Sequence, residues 1–352
     1  MYRISKDRRQ LSLPSFINLH AHITHHKRFN EFQSPHVLES KPYRSEYNKE
    51  NMSQALIESI HHGTKILATS LRPEEVNLFL EHVLDYSIIV VPYISVKNYH
   101  NIKEINAILI RIEKFYKAHN IPIRPGILIH SLYNITAETF YIFYQHCKNN
   151  NYSLSIHFFE WESELHFYNE KKLKNHDIVF EKLLSRWNVE DYINVVDNLM
   201  YSDLGIEAAF IHCCYMPKLK KPLSSSFRAV LCPISNIRLG NNVPIISKFQ
   251  SYCIATDGYY SNSGYNLISE VRFFYYKNIT SPLLMHNIHE LLYAITVNPL
   301  KMMSSKNICN NIDMLCETLT PNIYEKVSGH IPENNPILDF ILYHDSYMRI
   351  FD

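Results

Sequence analysis

Short apolar runs alternate with longer amphipathic segments along most of this chain, and that alternation leaves few folds open. The runs are residues 15–22 (SFINLHAH), 65–70 (KILATS), 87–96 (SIIVVPYISV), 125–131 (PGILIHS), 154–160 (LSIHFFE), 208–214 (AAFIHCC), 228–233 (RAVLCP) and 253–258 (CIATDG). They are short and rich in β-branched and aromatic residues, as strands buried on both faces of a parallel sheet are. Between them lie segments with helical periodicity. Residues 101–119 (NIKEINAILIRIEKFYKAH) predict one helix, and residues 136–148 predict another behind a cap at Asn134 or Thr136. Strand followed by helix, eight times over, is the pattern of an α/β chain folded as a (β/α)8 TIM barrel. The pattern runs over residues 14–303. A short lead, 1–13, precedes it, and an appendage of helical and strand segments, 304–352, follows.

Chemistry-bearing side chains fall at the carboxyl ends of these strands, where barrel enzymes keep their active sites. His20 and His22 end the first strand, His130 the fourth, His157 and Glu160 the fifth, His212 the sixth and Asp257 the eighth. Residues two apart in a strand point the same way, so His20 and His22 can both face the barrel axis. Each residue alone has an ordinary alternative. The chain has 20 histidines, so one HxH can arise by accident. His157 or His212 can be a core imidazole bonded to a carbonyl. Asp257 precedes a glycine, a common turn pair, and Glu160 can be the first-turn acid of the next helix. What the alternatives do not explain is why His20, His22, His157, His212 and Asp257 end four separate strands of one barrel.

His20, His22, His157 and Asp257 together form a ligand set for one divalent metal ion, zinc first, with iron or nickel as alternatives. Such an ion lowers the pKa of a bound water to about 7. Asp257, beside both, can take that water's proton, and Glu160 can protonate a ring nitrogen or leaving group. Composition removes several other classes. Net charge is +1 without a basic block, against a nucleic-acid binder, and no apolar run is long enough to span a membrane. Seven cysteines without a CxxC pair suit a reducing cytoplasm, and no signal-type apolar core follows the basic start.

These motifs resemble the metal-dependent amidohydrolase superfamily, in its branch of adenosine-type and S-adenosylhomocysteine-type deaminases. LPSFINLHAHI (13–23) is similar to the family's first-strand motif, IHSLY (129–133) to its substrate loop, and SIHFFEWESE (155–164) to the segment with the third metal histidine and catalytic glutamate. IHCCYM (211–216), CPISNIRLGNNVP (232–244) and IATDGYYSNSGYNLISEVR (254–272) continue the likeness. The His-Phe-Phe-Glu run and the pairing of the last two segments resemble the aminofutalosine deaminases of menaquinone synthesis. The resemblance implies a catalytic set of Glu160, His212 and Asp257, with His212 orienting the water or the leaving group. It also implies substrate contacts from His130, Tyr133, Glu160, Ser261 and Asn262. The reaction it implies is 6-amino-6-deoxyfutalosine plus water to futalosine plus ammonia.

The chain departs from the pattern at Ser15 for the usual glycine, Leu132 for a proline, Leu231 for a histidine and Tyr215 for another histidine. None removes a metal ligand; the last three lie where they would shape the substrate pocket. Relatives also build a small β-sandwich from both chain ends. Here the lead is short and residues 337–343 (ILDFILY) are the one good candidate for a returning strand, so the sandwich is expected to be reduced or absent. Deamination of S-adenosylhomocysteine, methylthioadenosine or adenosine uses the same metal chemistry and stays open. So do amide or ring hydrolysis, a barrel that binds metal without catalysis, and homo-oligomerisation. The expected partner is a small purine nucleoside, with neither nucleic acid nor membrane.

Overall fold

The computed structural model describes residues 2–24, 49–98, 100–170, 178–279 and 288–350. The chain enters through two short strands, β1 (Arg3–Ile4) and β2 (Gln10–Leu13). The barrel strands follow: β3 (Phe16–Ala21), β4 (Thr64–Leu71), β5 (Ile89–Val96), β6 (Gly126–Ile129), β7 (Ser153–Phe158), β8 (Ala208–His212), β9 (Arg228–Leu231) and β10 (Tyr252–Ile254). They form one 8-stranded sheet in sequence order, each pair parallel. Every apolar run predicted as a strand overlaps one. Burial follows the expected logic: β3, β6, β7 and β8 are buried at every position, because helices cover one face and the barrel interior fills the other.

The seam where β10 meets β3 is built differently. No ladder joins them among the described residues; one isolated bridge pairs Ala21 with Asp257, and the Asp257 amide donates to the His20 carbonyl at 3.1 Å. Lower in the seam the chain at Ala294 and Ile295 stands in for a strand, accepting from Ile254 N and Ile17 N at 2.9 Å each. The predicted helices form with their caps. Asn101 accepts from Lys103 N ahead of the helix Ile102–Ala118. Thr136, not Asn134, caps Ala137–Asn150 by accepting from Thr139 N.

Two further strands, β11 (Asn322–Lys326) and β12 (Tyr347–Ile350), return to the start of the chain. They complete a 4-stranded antiparallel sheet in the order β1-β2-β11-β12, with Leu11 opposite Tyr324 and Ile323 opposite Ile350. The terminal unit is therefore reduced to a single sheet. The run at 337–343 does not supply it: Pro336–Leu342 is a helix, with proline in its first turn and Ile337, Phe340 and Ile341 buried at helical spacing. The sheet is fixed to the amino end of the barrel by side chains. Asn322 Nδ2 donates to the Gly63 carbonyl at 2.9 Å, and the Ser15 hydroxyl donates to the Thr320 carbonyl. Gly63 sits at φ +90°, and a Cβ there would lie 2.8 Å from the Asn322 amide nitrogen, so glycine is required. Ser15, the departure from glycine in the first motif, thus has a structural task.

Candidate metal centre and active site

At the carboxyl end of the barrel the strands deliver their histidines to one point. His20 and His22, two apart on β3 and just beyond it, place their ring centroids 4.9 Å from each other. His157 on β7 lies 4.9 Å from His20 and 6.0 Å from His22, and His212 at the end of β8 lies 4.7 Å from His157. Asp257 Oδ1 is 3.3 Å from His22 Nε2 and 3.6 Å from His20 Nε2. Glu160 Oε2 stands 3.5 Å from His157 Nδ1, and Oε1 stands 3.8 Å from His212 Nε2. Two donor groups result, His20–His22–His157 and His157–Glu160–His212, each with ligand atoms within 4.8 Å. All six side chains are buried.

These residues fit a divalent ion. His20 Nε2, both ring nitrogens of His157 and His212 Nε2 are buried without a hydrogen-bond partner, an arrangement that costs roughly 1–3 kcal/mol per atom unless something fills it. Burial lowers the pKa of His20, and burial reinforced by His130 and His212 drives that of His157 well below the ordinary imidazole value. Both are thus neutral, the form that ligates metal. Burial alone would raise Asp257, but His20 and His22 beside it hold it well below the usual carboxylate range. Neutral imidazoles and one ionised carboxylate suit zinc, iron or nickel.

The backbone is bent to aim these groups. Phe159, His212, Cys213 and Asp257 all take left-handed conformations, at φ 46°, 72°, 52° and 61°, each costing of order 1–3 kcal/mol in a non-glycine residue. Hydrogen bonds then hold the side chains. Ser235 Oγ and Ser261 Oγ lie 2.7 and 2.8 Å from Asp257 Oδ2, leaving Oδ1 toward the histidines. Asn236 Oδ1 takes His212 Nδ1 at 2.8 Å, which turns Nε2 toward Glu160. Glu164 accepts from Trp161 N at 3.1 Å and so fixes the turn that presents Glu160.

Not every expected contact residue faces the centre. His130 does: it is half-buried, 4.6 Å from the His157 ring, and bonded to Asn134. The Tyr133 hydroxyl instead accepts from Trp161 Nε1 at 3.1 Å. Ser261 and Asn262, expected at the substrate, are hydrogen-bonded within the protein. Ser261 bonds the Asp257 carboxylate, and Asn262 Nδ2 donates to the Thr256 carbonyl and to Glu270 at 2.5 Å each. Ser235, Asn236, Glu164 and Glu270 carry no assignment from sequence reasoning. The first two belong to CPISN, the motif whose specificity was the available signal.

Comparison with known proteins agrees with this geometry. The amidohydrolase family model matches residues 11–308. No curated protein sequence matches. Among solved structures, Helicobacter pylori aminofutalosine deaminase superposes with TM-score 0.73 at 18% identity, over 97% of this chain and 87% of that one. Guanine deaminase from C. acetobutylicum gives 0.65 at 13%, over 96% and 85%. An adenosine deaminase from Xanthomonas campestris, with bound zinc, gives 0.61 at 13%, over 94% and 76%. At these identities the likeness is one of fold. The family match spans most of the chain and every strand of the barrel: this protein belongs to the amidohydrolase family.

Proposed function

We propose that the protein is a metal-dependent aminohydrolase that converts the C6 amine of an adenine nucleoside to a carbonyl, with 6-amino-6-deoxyfutalosine as substrate. The products are futalosine and ammonia, in a cytoplasmic step of menaquinone synthesis. The observation that carries this reading is that one buried histidine cluster holds two buried carboxylates, Asp257 against His20 and His22 and Glu160 against His157 and His212. Hydrolytic deamination needs both, one to accept a proton from water and one to give a proton to the ring.

An ion held by His20, His22, His157 and Asp257, zinc first with iron or nickel next, would supply Lewis acidity and a water of lowered pKa. Asp257 is ionised and has one oxygen occupied by serine hydroxyls, so its other oxygen takes the water's proton and passes it toward the departing amine. Glu160 gives a proton to the purine ring nitrogen. His212, its Nδ1 committed to Asn236, keeps Nε2 facing the reacting atoms and orients the attacking water. His130, at the rim, meets the ribose side. The choice of aminofutalosine over other adenine nucleosides is supported by the His-Phe-Phe-Glu run and the paired CPISN and IATDG segments.

The test follows loss of adenine absorbance, with ammonia release as a check, using zinc-loaded protein on aminofutalosine, S-adenosylhomocysteine, methylthioadenosine and adenosine. Preference for aminofutalosine supports the whole reading. Preference for another nucleoside keeps the chemistry and moves the substrate, and silence on all four removes the deaminase assignment.

A further inference from the structure

Behind the site lies a carboxylate that the mechanism does not use. Glu270, on the helix Leu267–Lys277, is 1% exposed and makes no ion pair among the described residues. Its oxygens are divided between two loops. Oε2 accepts from Ile234 N at 2.9 Å, in the first turn after β9, and Oε1 accepts from Asn262 Nδ2 at 2.5 Å, in the loop after β10. The next two residues after Ile234 are Ser235, which bonds Asp257, and Asn236, which bonds His212. The residue before Asn262 is Ser261, which also bonds Asp257. Asn262 cannot turn to serve Glu270 differently, because its amide also donates to the Thr256 carbonyl and its oxygen accepts from Ser263 N.

We propose that Glu270 is a positioning residue: it holds the loops after β9 and β10 at one separation and thereby aims both Asp257 and His212. The proposal rests on the deaminase reading only for the name of the reaction. Keeping a carboxylate so deeply buried is costly, and burial, with the charge of Asp257, pushes its pKa up to about 8. A plain core position would carry an apolar side chain. Both oxygens accept from N–H groups, so an isosteric amide satisfies one loop and meets the other with its own donor.

Glu270→Gln is the first variant and Asn262→Ala the second, since the latter cuts the same tie while leaving the carboxylate on Ile234. Zinc affinity is read by chelator competition, and the His212 tautomer by nitrogen NMR of the metal-free protein at alkaline pH. Both variants are expected to bind zinc about tenfold more weakly, the low end for residues that orient ligands. His212 is expected to change from a single Nδ1-protonated form to a mixture of tautomers. On a substrate found by the panel, kcat falls with KM unchanged. A folded variant of either kind with wild-type zinc affinity and an unmixed His212 tautomer would overturn the proposal, even if its melting point had dropped. Neither of the first two readings needs turnover, so a failure of the deaminase assignment would show separately as silence of the wild-type protein.

Discussion

At the carboxyl end of the barrel, four buried imidazole nitrogens on His20, His157 and His212 lack hydrogen-bond partners and converge on one volume. At the amino end, Asn322, Ser15 and Arg349 each spend a donor on a carbonyl across the junction between barrel and terminal sheet. Unpartnered buried atoms exist there too, at His344 Nε2 and Thr64 Oγ1, but they are no candidate ligand group among the described residues. Backbone conformation divides the same way. Phe159, His212, Cys213 and Asp257 are left-handed at the mouth, whereas the positive-φ residues elsewhere, Arg8, Asn120, Asn151 and Gly63 among them, sit singly in turns. Strain and unmet polarity are concentrated where a ligand can repay them, and the opposite end is built for cohesion.

The sharpest break in that contrast is His157→Ala, which touches both donor groups. It is expected to fall from about one metal equivalent to none by elemental analysis, and retention of the ion would take His157 out of the ligand set. Next comes Glu160→Gln, expected to keep its metal while losing 10²–10⁴-fold in rate, the usual worth of a general acid. Near-normal turnover would reduce Glu160 to a turn residue.

Smaller effects belong to the amino end. Gly63→Ala should lower unfolding free energy by about 2–3 kcal/mol, from left-handed strain plus the clash with Asn322, while zinc affinity of the folded protein stays at the wild-type value. A matching loss of zinc affinity would show the two ends to be coupled. A comparable effect, confined to acid, comes last. Burial, with His62 beside it, pushes the His344 pKa from 6.5 down to about 4. The unfolded chain takes up that proton first, so stability present above pH 6.5 is lost as pH falls toward 4, by at most about 3 kcal/mol. His344→Gln should flatten that part of the stability–pH curve, and an unchanged curve would assign the acid loss elsewhere.

The contrast also explains what could be read from residues alone. Each barrel strand is a local apolar run, and the candidate site residues sit near or just past the ends of such runs, as His157 lies one residue from the end of Ser153–Phe158. Strand and site were therefore visible together. The terminal sheet was not. Its strands have 2 to 5 residues, half-exposed patterns such as that of Asn322–Lys326, and partners some 310 positions away, Leu11 against Tyr324. In residues 337–343 the apolar content was visible but its period was misread as that of a strand. The internal hydrogen bonds of Ser261 and Asn262 were not visible, because only the folded loop shows which way a short polar side chain turns. Glu164 and Glu270 carried no assignment, since burial of a carboxylate is decided by contacts far along the chain.

The seam between β10 and β3 gives Asp257 a double membership. Its amide closes the circumference of the barrel on His20, and its carboxylate faces His20 and His22 across the same gap. An ion gripped there would act as a rivet, driven through the one junction of the ring that has no ladder. Removing such an ion would loosen that wall, and the hydrogen-exchange rate of the residue 257 amide would gauge whether the rivet is in place.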